Sequence, residues 1–433
     1  MSAVVNFPVK PEARPYIEAF TAPSDEPDWL ARSRRHGLDR FAKLGFPSRR
    51  SEDWRYLDLR ALEEHPLFPV EPPEKPEQPG VTIVDINDFI LVLVDGRWVP
   101  HLSWLRDLPE GVWFGSLRTA MTERPDLARA ALAGADDGSS FDALNAAFAS
   151  DGFILDIAPD VELFAPIEIV HLSLAGGAAH TRNLISIGAR SRVIVAENFF
   201  GTGRYWRNDV AAWRVGEGAA LTRVAVIEED AEATHLDRVS ATLGDASRLD
   251  GFVLMLGGGT VRHEASVTLA GADAQCRING AFIVAGGEEA NIVTAIDHAT
   301  TGGTTSELIK GVAAGRAHGA FQGKIIVREG AQRTDARQTS RNLILGRRAV
   351  IDTKPELEIL ADDVKCAHGA SVGELDEAAL FYLRARGIPL EEARRILVEG
   401  FLAEPIENIA HVAVRQHLLR RLSLKLGRLE DWS

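Results

Sequence analysis

The chain carries two cysteines, Cys276 and Cys366, and in the stretch DDVKCAHGASVGELD (362–376) the second stands two residues before His368. In an extended strand, residues i and i+2 face the same way, roughly 6.5–7 Å apart. Cys366 and His368 would then present a thiolate and an imidazole side by side. Those donors suit zinc, copper or an iron–sulfur cluster. Two donors do not close a site, which needs about four, and no other cysteine lies nearby. A metal here would be completed by another chain or held transiently. The alternative is that Cys366 is a small buried hydrophobe and His368 a hydrogen-bonded turn residue. Spacing alone leaves both open. Cys276, isolated in DAQCRING, reads as core.

A second chemistry overlaps the first. GASVG (369–373) matches the G-x-S-x-G nucleophile elbow, with Ser371 as the nucleophile of a serine hydrolase. That enzyme would need an acid and a histidine delivered by later strands, and the residues that follow read as helices. Other chemistries lack their residues. HGAFQGKI (318–325) has His318 and Ile325 where a phosphate-binding loop needs glycine and Ser or Thr, so the chain is not expected to hydrolyse a nucleotide. HEASV (263–267) lacks the second histidine of a helical zinc site, and no C-x-x-C occurs. A carbohydrate-cleaving enzyme would want an aromatic, acid-lined cleft, and aromatic residues make up only 7% of the chain.

The elements that would position these residues follow from periodicity. Residues 1–64 are polar and helical, with apolar residues at helical spacing in DWLARSRRHGLDRFAKLGF (28–46). Residues 65–80 are so rich in proline that they form an extended linker or arm. Residues 81–151 mix a short β segment with helical stretches. From 152 to 373 the chain is rich in Val, Ile, Thr, Gly and Ala, with turns at Gly188, Gly216, Gly244, Gly271, Gly302 and Gly330. That period of about 28 residues predicts stacked units of two strands and two turns. A long antiparallel meander would also give turns at half that period, but the return of like turns at the full period favours a β-helix. Residues 374–433 return to helix. Pro389 suits a first helical position, and Ala393, Ile396, Leu397, Gly400 and Phe401 form one apolar stripe. These helices could simply cap the solenoid's end.

The totals exclude several classes. A net charge of −14 on 433 residues argues against nucleic acid or an anionic membrane surface as partner. No run of about 18 apolar residues is present. Neither a basic leader with an apolar run nor a disulfide framework is visible, so the expected setting is reduced and cytoplasmic.

One segment carries a family resemblance. RNLILGRRAVIDTKPELEILADDVKCAHGASVGELDEAALFYLRARGI (341–388) is similar to the signature segment of the SufB/SufD family of the Suf iron–sulfur cluster assembly machinery, in its SufD form. PSRRSEDWRYLDL (47–59) resembles the family's entry motif, and RARGIPLEEARRILVEGF fits its C-terminal part. The resemblance implies a right-handed parallel β-helix flanked by helical regions, and a non-catalytic scaffold. It implies pairing with SufB through the β-helices and docking of the ATPase SufC on the C-terminal helices. His368 would help hold a nascent, transient iron–sulfur cluster shared with SufB, with Cys366 as its neighbour in the motif. Phe381, Tyr382, Arg384 and Arg386, with the stripe Ile396, Leu397, Gly400 and Phe401, become candidate partner contacts. The edge offered by LILGRRAVIDTKPELEIL could pair with SufB, or with a second copy when the chain is alone. A purely structural adaptor with no metal role is the competing reading.

Overall fold

The computed structural model describes residues 9–23, 26–74, 76, 89–133 and 139–429. From Phe153 to Gly373 the chain runs as strands, mostly nine or ten residues long, joined by short turns. Successive strands go to opposite sheets, and each pairs in parallel with the strand two positions later. Among the described residues this gives one sheet of ten strands and one of nine. The result is a parallel β-solenoid, not a meander.

Pairing with a single register shift inside the coils, between Met255 and Gly257, stacks like positions into columns about 4.8 Å per step. On one sheet an inward column runs Ile185, Trp213, Ala241, Val267, Ile296, Ile325 and Leu357. Facing it, the other sheet stacks Val193, Leu221, Leu249, Cys276, Thr305, Ala336 and Cys366. Nearly all of these belong to one continuous apolar core. Cys276 is therefore core, and both cysteines share one column.

The recurring glycines lie in the turns between strands, as expected. The left-handed backbone of successive turns sits at Arg190, Gly218, Ala246, Asp273, Gly302 and Arg333, with φ from 50° to 76°. Most of the periodic glycines instead let each turn settle onto the one before. A Cβ on Gly271 would lie 2.0 Å from the backbone nitrogen of Asp245, and one on Gly188 would lie 2.4 Å from that of Pro159.

Both outer faces are covered, on opposite sides. N-terminal segments, including the helices Asp28–Leu44 and Ser140–Phe148, pack an aromatic cluster of Tyr16, Phe41, Phe46 and Phe141 around Trp206 of the nine-stranded sheet. The entry motif reaches the late coils: Glu52 pairs with Lys354 at 2.6 Å, and Trp54 lies under the Arg262 guanidinium at 4.2 Å. Within the proline-rich stretch, Pro69 bridges to Ala178, while residues 75 and 77–80 lie outside the described set. Residues 81–88 of the following β segment also lie outside it; Phe89–Val94 joins the ten-stranded sheet.

The C-terminal helices Leu390–Glu407 and Val412–Gly427 cover the ten-stranded sheet. They bury Val398, Leu402, Ile406, Leu418 and Leu422 on Val224, Phe252, Leu254 and Ile283, at about 1.5–3 kcal/mol of transfer free energy per side chain. Pro389 is the N-cap of the first helix, one residue before the expected position. That helix also continues through Pro405. Proline cannot donate to the carbonyl of Phe401. Lys310 fills the vacancy: its Nζ donates to that carbonyl at 3.0 Å, pairs with Glu404, and lies 4.1 Å from the Phe401 ring.

The two ends of the solenoid differ. At the first coils the sheets finish on antiparallel strands, Arg97–Trp98 and Val112–Ser116. At the last coil they finish on Val350–Ile359 and Lys365–Gly373, each bonded on one side only among the described residues.

Candidate functional site

Cys366 and His368 lie on that last strand, Lys365–Gly373, at the open rim. It pairs in register with Asp335–Ile344, placing Cys366 beside Ala336 and His368 beside Gln338. Ala336, Gln338, Ser340 and Asn342 are buried while Arg337 and Arg341 are exposed. The inward face of the last strand is therefore Cys366, His368, Ala370 and Val372. The two donors share a face, as an extended segment requires, and that face looks into the open end of the coil.

Their environments differ. Cys366 is half-buried against the end of the apolar core, and burial raises its thiol pKa above the ordinary value. The group is protonated at neutral pH, and a metal would have to displace that proton. Cys276, fully buried three steps along the same column, has its pKa pushed much higher, again by burial first. His368 is exposed. Among the described residues no group of three or more His, Cys, Asp or Glu is placed to hold a metal ion. At the rim, Cys366 and His368 are the two residues of metal-ligating type on the inward face of the last strand.

Ser371 sits within the same strand, extended and exposed. A nucleophile elbow needs a sharp strand-to-helix turn at the serine, and the backbone has none there. The hydrolase expectation loses its geometry.

The remaining candidate residues follow within a short distance along the chain. Asp376 caps the helix Glu377–Ala385, accepting from the N–H groups of Ala378 and Ala379. Phe381 is 75% exposed and Tyr382 57%; Arg386 donates to the Tyr382 hydroxyl at 2.9 Å, and Arg384 is also exposed. The expected stripe divides. Ala393 faces inward with Val398 and Leu402, Leu397 and Phe401 are half-buried, and Ile396 and Gly400 face outward. The structure thus brings Cys366 and His368 together and sets the exposed aromatic helix next to them in the chain.

Sequence reading missed what lies beneath His368. Its inward column continues through Gln338 and Glu307 to Ile278. Glu307 and Gln338 are almost fully buried, and the amide nitrogen of Gln338 donates to the carboxylate at 2.7 Å. Burial raises the Glu307 pKa to about 7. Also missed were buried ion pairs deeper in the coil, Arg207 with Glu229 at 3.0 Å and Arg223 with Glu197 at 3.1 Å. The only signal available was the register, which requires the coordinates of both strands.

Comparison with known proteins places this arrangement. Residues 170–401 match the family profile described as "SUF system FeS cluster assembly, SufBD core domain", and residues 18–169 match "SufBD protein N-terminal region". The chain is 28% identical to the iron–sulfur cluster assembly protein SufD of Escherichia coli K12, over 90% of this chain and 91% of that one. It is 27% identical to the Bacillus subtilis protein of the same name, over 95% and 97% of the two. The chloroplastic protein ABCI7 of Arabidopsis thaliana is 28% identical over 89% and 84%. With most of its solenoid, including the last coil that carries Cys366 and His368, inside the core match, the chain belongs to the SufBD family of iron–sulfur cluster assembly proteins.

Proposed function

We propose that this chain is a non-catalytic half of a cluster-assembly scaffold. Its open rim pairs with a SufB subunit by strand addition, and His368, with Cys366 beside it, supplies part of the ligand set for a nascent iron–sulfur cluster. The cluster is cargo, held across the seam and passed on. The imidazole donates a nitrogen lone pair to iron, and the thiol gives up its proton if it joins. Residues 374–433 form the docking region for the ATPase SufC. Phe381, Tyr382, Arg384, Arg386, Ile396 and Gly400 line its exposed side, with the half-buried Leu397 and Phe401 behind them. Residues 152–373 carry the ligands; of the preceding regions 1–64, 65–80 and 81–151, the described parts pack on the solenoid, with Glu52 reaching Lys354 of the last coil. The work is done in the cytoplasm, and nucleotide hydrolysis belongs to the partner. ATP-driven approach of two docked ATPases would pull on these helices and open the seam, because the ligand strand leads straight into them.

One observation carries the reading: an incomplete pair of metal donors sits on a strand whose outer edge has no neighbour among the described residues. An unpaired edge favours strand addition, and the added strand would bring the missing donors. His368→Ala should leave the complex with SufB and SufC intact on a sizing column while reducing the anaerobically reconstituted cluster absorbance by at least about tenfold. A normal cluster yield in that variant would reduce the chain to a structural adaptor.

A further inference from the structure

Gln338 and Glu307 form a buried polar pair with an unmet need. The amide nitrogen of Gln338 is committed to one oxygen of Glu307 at 2.7 Å. The amide oxygen, on the opposite side of the same planar group, is buried and has no hydrogen-bond partner. A buried acceptor in that state is costly unless a donor reaches it. The group also packs against a glycine. The strand across the lumen has Gly323 opposite, where a Cβ would come 2.2 Å from the Gln338 nitrogen. The amide therefore occupies space that only a glycine leaves open.

Across the lumen the buried hydroxyl of Thr294, beside Gly323, faces Glu307; the other candidate donors follow from the register. On the inward face of the next strand stand Cys366, His368, Ala370 and Val372. Alanine and valine have no donor, and a thiol is a weak one. His368 is the in-register neighbour, one strand spacing of about 4.8 Å away, and a neutral imidazole carries one N–H. The geometry points to Gln338 as the positioning residue for His368: its free amide oxygen takes one ring N–H, and Glu307 anchors the amide from below. This fixes the tautomer and leaves the other ring nitrogen, with its lone pair, facing the open rim. Metal-ligating histidines are commonly oriented by an acceptor of this kind.

The inference rests on the reading of His368 as a cluster ligand, but its test separates the two. The full-length protein labelled with ¹⁵N-histidine would be studied by long-range ¹H–¹⁵N spectra, with the His368 ring assigned by its loss in His368→Ala. The native protein should show His368 as one tautomer with a slowly exchanging ring N–H. Gln338→Met, which matches the side chain in length but has no amide oxygen, should give a tautomer mixture with fast exchange. Gln338→Glu, which keeps an acceptor, should restore the single form. In the complex with SufB and SufC, cluster retention should fall about tenfold in Gln338→Met and recover in Gln338→Glu. Should Gln338→Met fold poorly, Glu307→Leu/Gln338→Met removes both buried partners together and carries the same expectation. A His368 ring signature unchanged by loss of the amide oxygen overturns the inference. Normal cluster yield in His368→Ala overturns the ligand reading, whatever the spectra show.

Discussion

The middle coils and the last coil are built on the same two inward columns, and they treat chemically capable residues in opposite ways. In the middle, every rung is covered above and below, so a charge survives only with its counter-charge. Glu197 is held by Arg223, and Glu229 by Arg207 and by His235 at 2.7 Å. Such pairs are structural, because breaking one strands a buried charge. Toward the rim one column turns polar, Ile278, Glu307, Gln338, His368, while its neighbour, Leu249, Cys276, Thr305, Ala336, Cys366, stays mostly apolar to the end. The last rung is covered on one side only. Donors there can stay partly unsatisfied because water or a partner reaches them. A solenoid that stacks like on like can therefore place a reactive group at low cost only where the stack stops.

The widest predicted separation between the two regions is in packing. Phe282 is fully buried, and its ring fills space that Gly311 and Gly319 leave empty; a Cβ on either would come within 1.9 or 2.4 Å of the ring. Phe282→Ala should cost about 3–5 kcal/mol of unfolding free energy. Val372, inward on the last strand yet 41% exposed, should lose no more than about 0.5 kcal/mol as Val372→Ala. Urea unfolding of the two variants measures the difference. Comparable losses would mean that the isolated chain closes its rim, for instance against a second copy.

The same contrast explains what the sequence disclosed. The turn period survived translation into coils because close stacking demands glycine at positions such as 188 and 271 whatever the neighbouring side chains. That Cys366 and His368 share a strand face was legible because their spacing matches a strand. Gln338 and Glu307 were not legible: TTSELIKG and DARQTSRN look like ordinary strands with polar outer faces. Only the register shows that these two residues point inward. The apolar stripe of the C-terminal helix was half right for a related reason. A stripe of 3.6-residue period fixes a face, but the flat sheet beneath selects Ala393, Val398 and Leu402 and leaves Ile396 outside.

Titration should distinguish the regions by sign. Glu307 has no cation beside it among the described residues, and burial lifts its pKa to about 7, against about 4.3 unfolded. The folded state then holds the proton more tightly, so this residue's contribution declines as pH rises from about 4.3 to about 7 and is level above. Glu197 and Glu229 behave oppositely. Burial acts against their charged forms, but Arg223 and Arg207 outweigh it and hold both pKa values near about 2. Their contribution is present above about pH 4.3 and is lost as pH falls toward 2. Glu307→Gln should flatten the decline between pH 4.5 and 7 by about 2–3 kcal/mol and leave the acid limb unchanged. An unaltered decline in stability curves taken across that range would place the titrating group elsewhere.

The smallest effect is also the most local, because it compares two atoms of one kind at two depths of one column. Cys276 is sealed among core residues and Cys366 closes the column at the rim, half-covered. Burial raises both thiol pKa values, and far more for Cys276. Alkylation needs the thiolate and access to it. In the native protein at pH 8, iodoacetamide should modify Cys366 more slowly than a free thiol, and Cys276 only on unfolding; peptide mass spectrometry gives both rates. Cys366→Ala should change stability by less than about 1 kcal/mol. If SufB pairs with the rim, its addition should slow Cys366 alkylation and leave the Cys276 rate as it was, since only the end of the column gains a new rung.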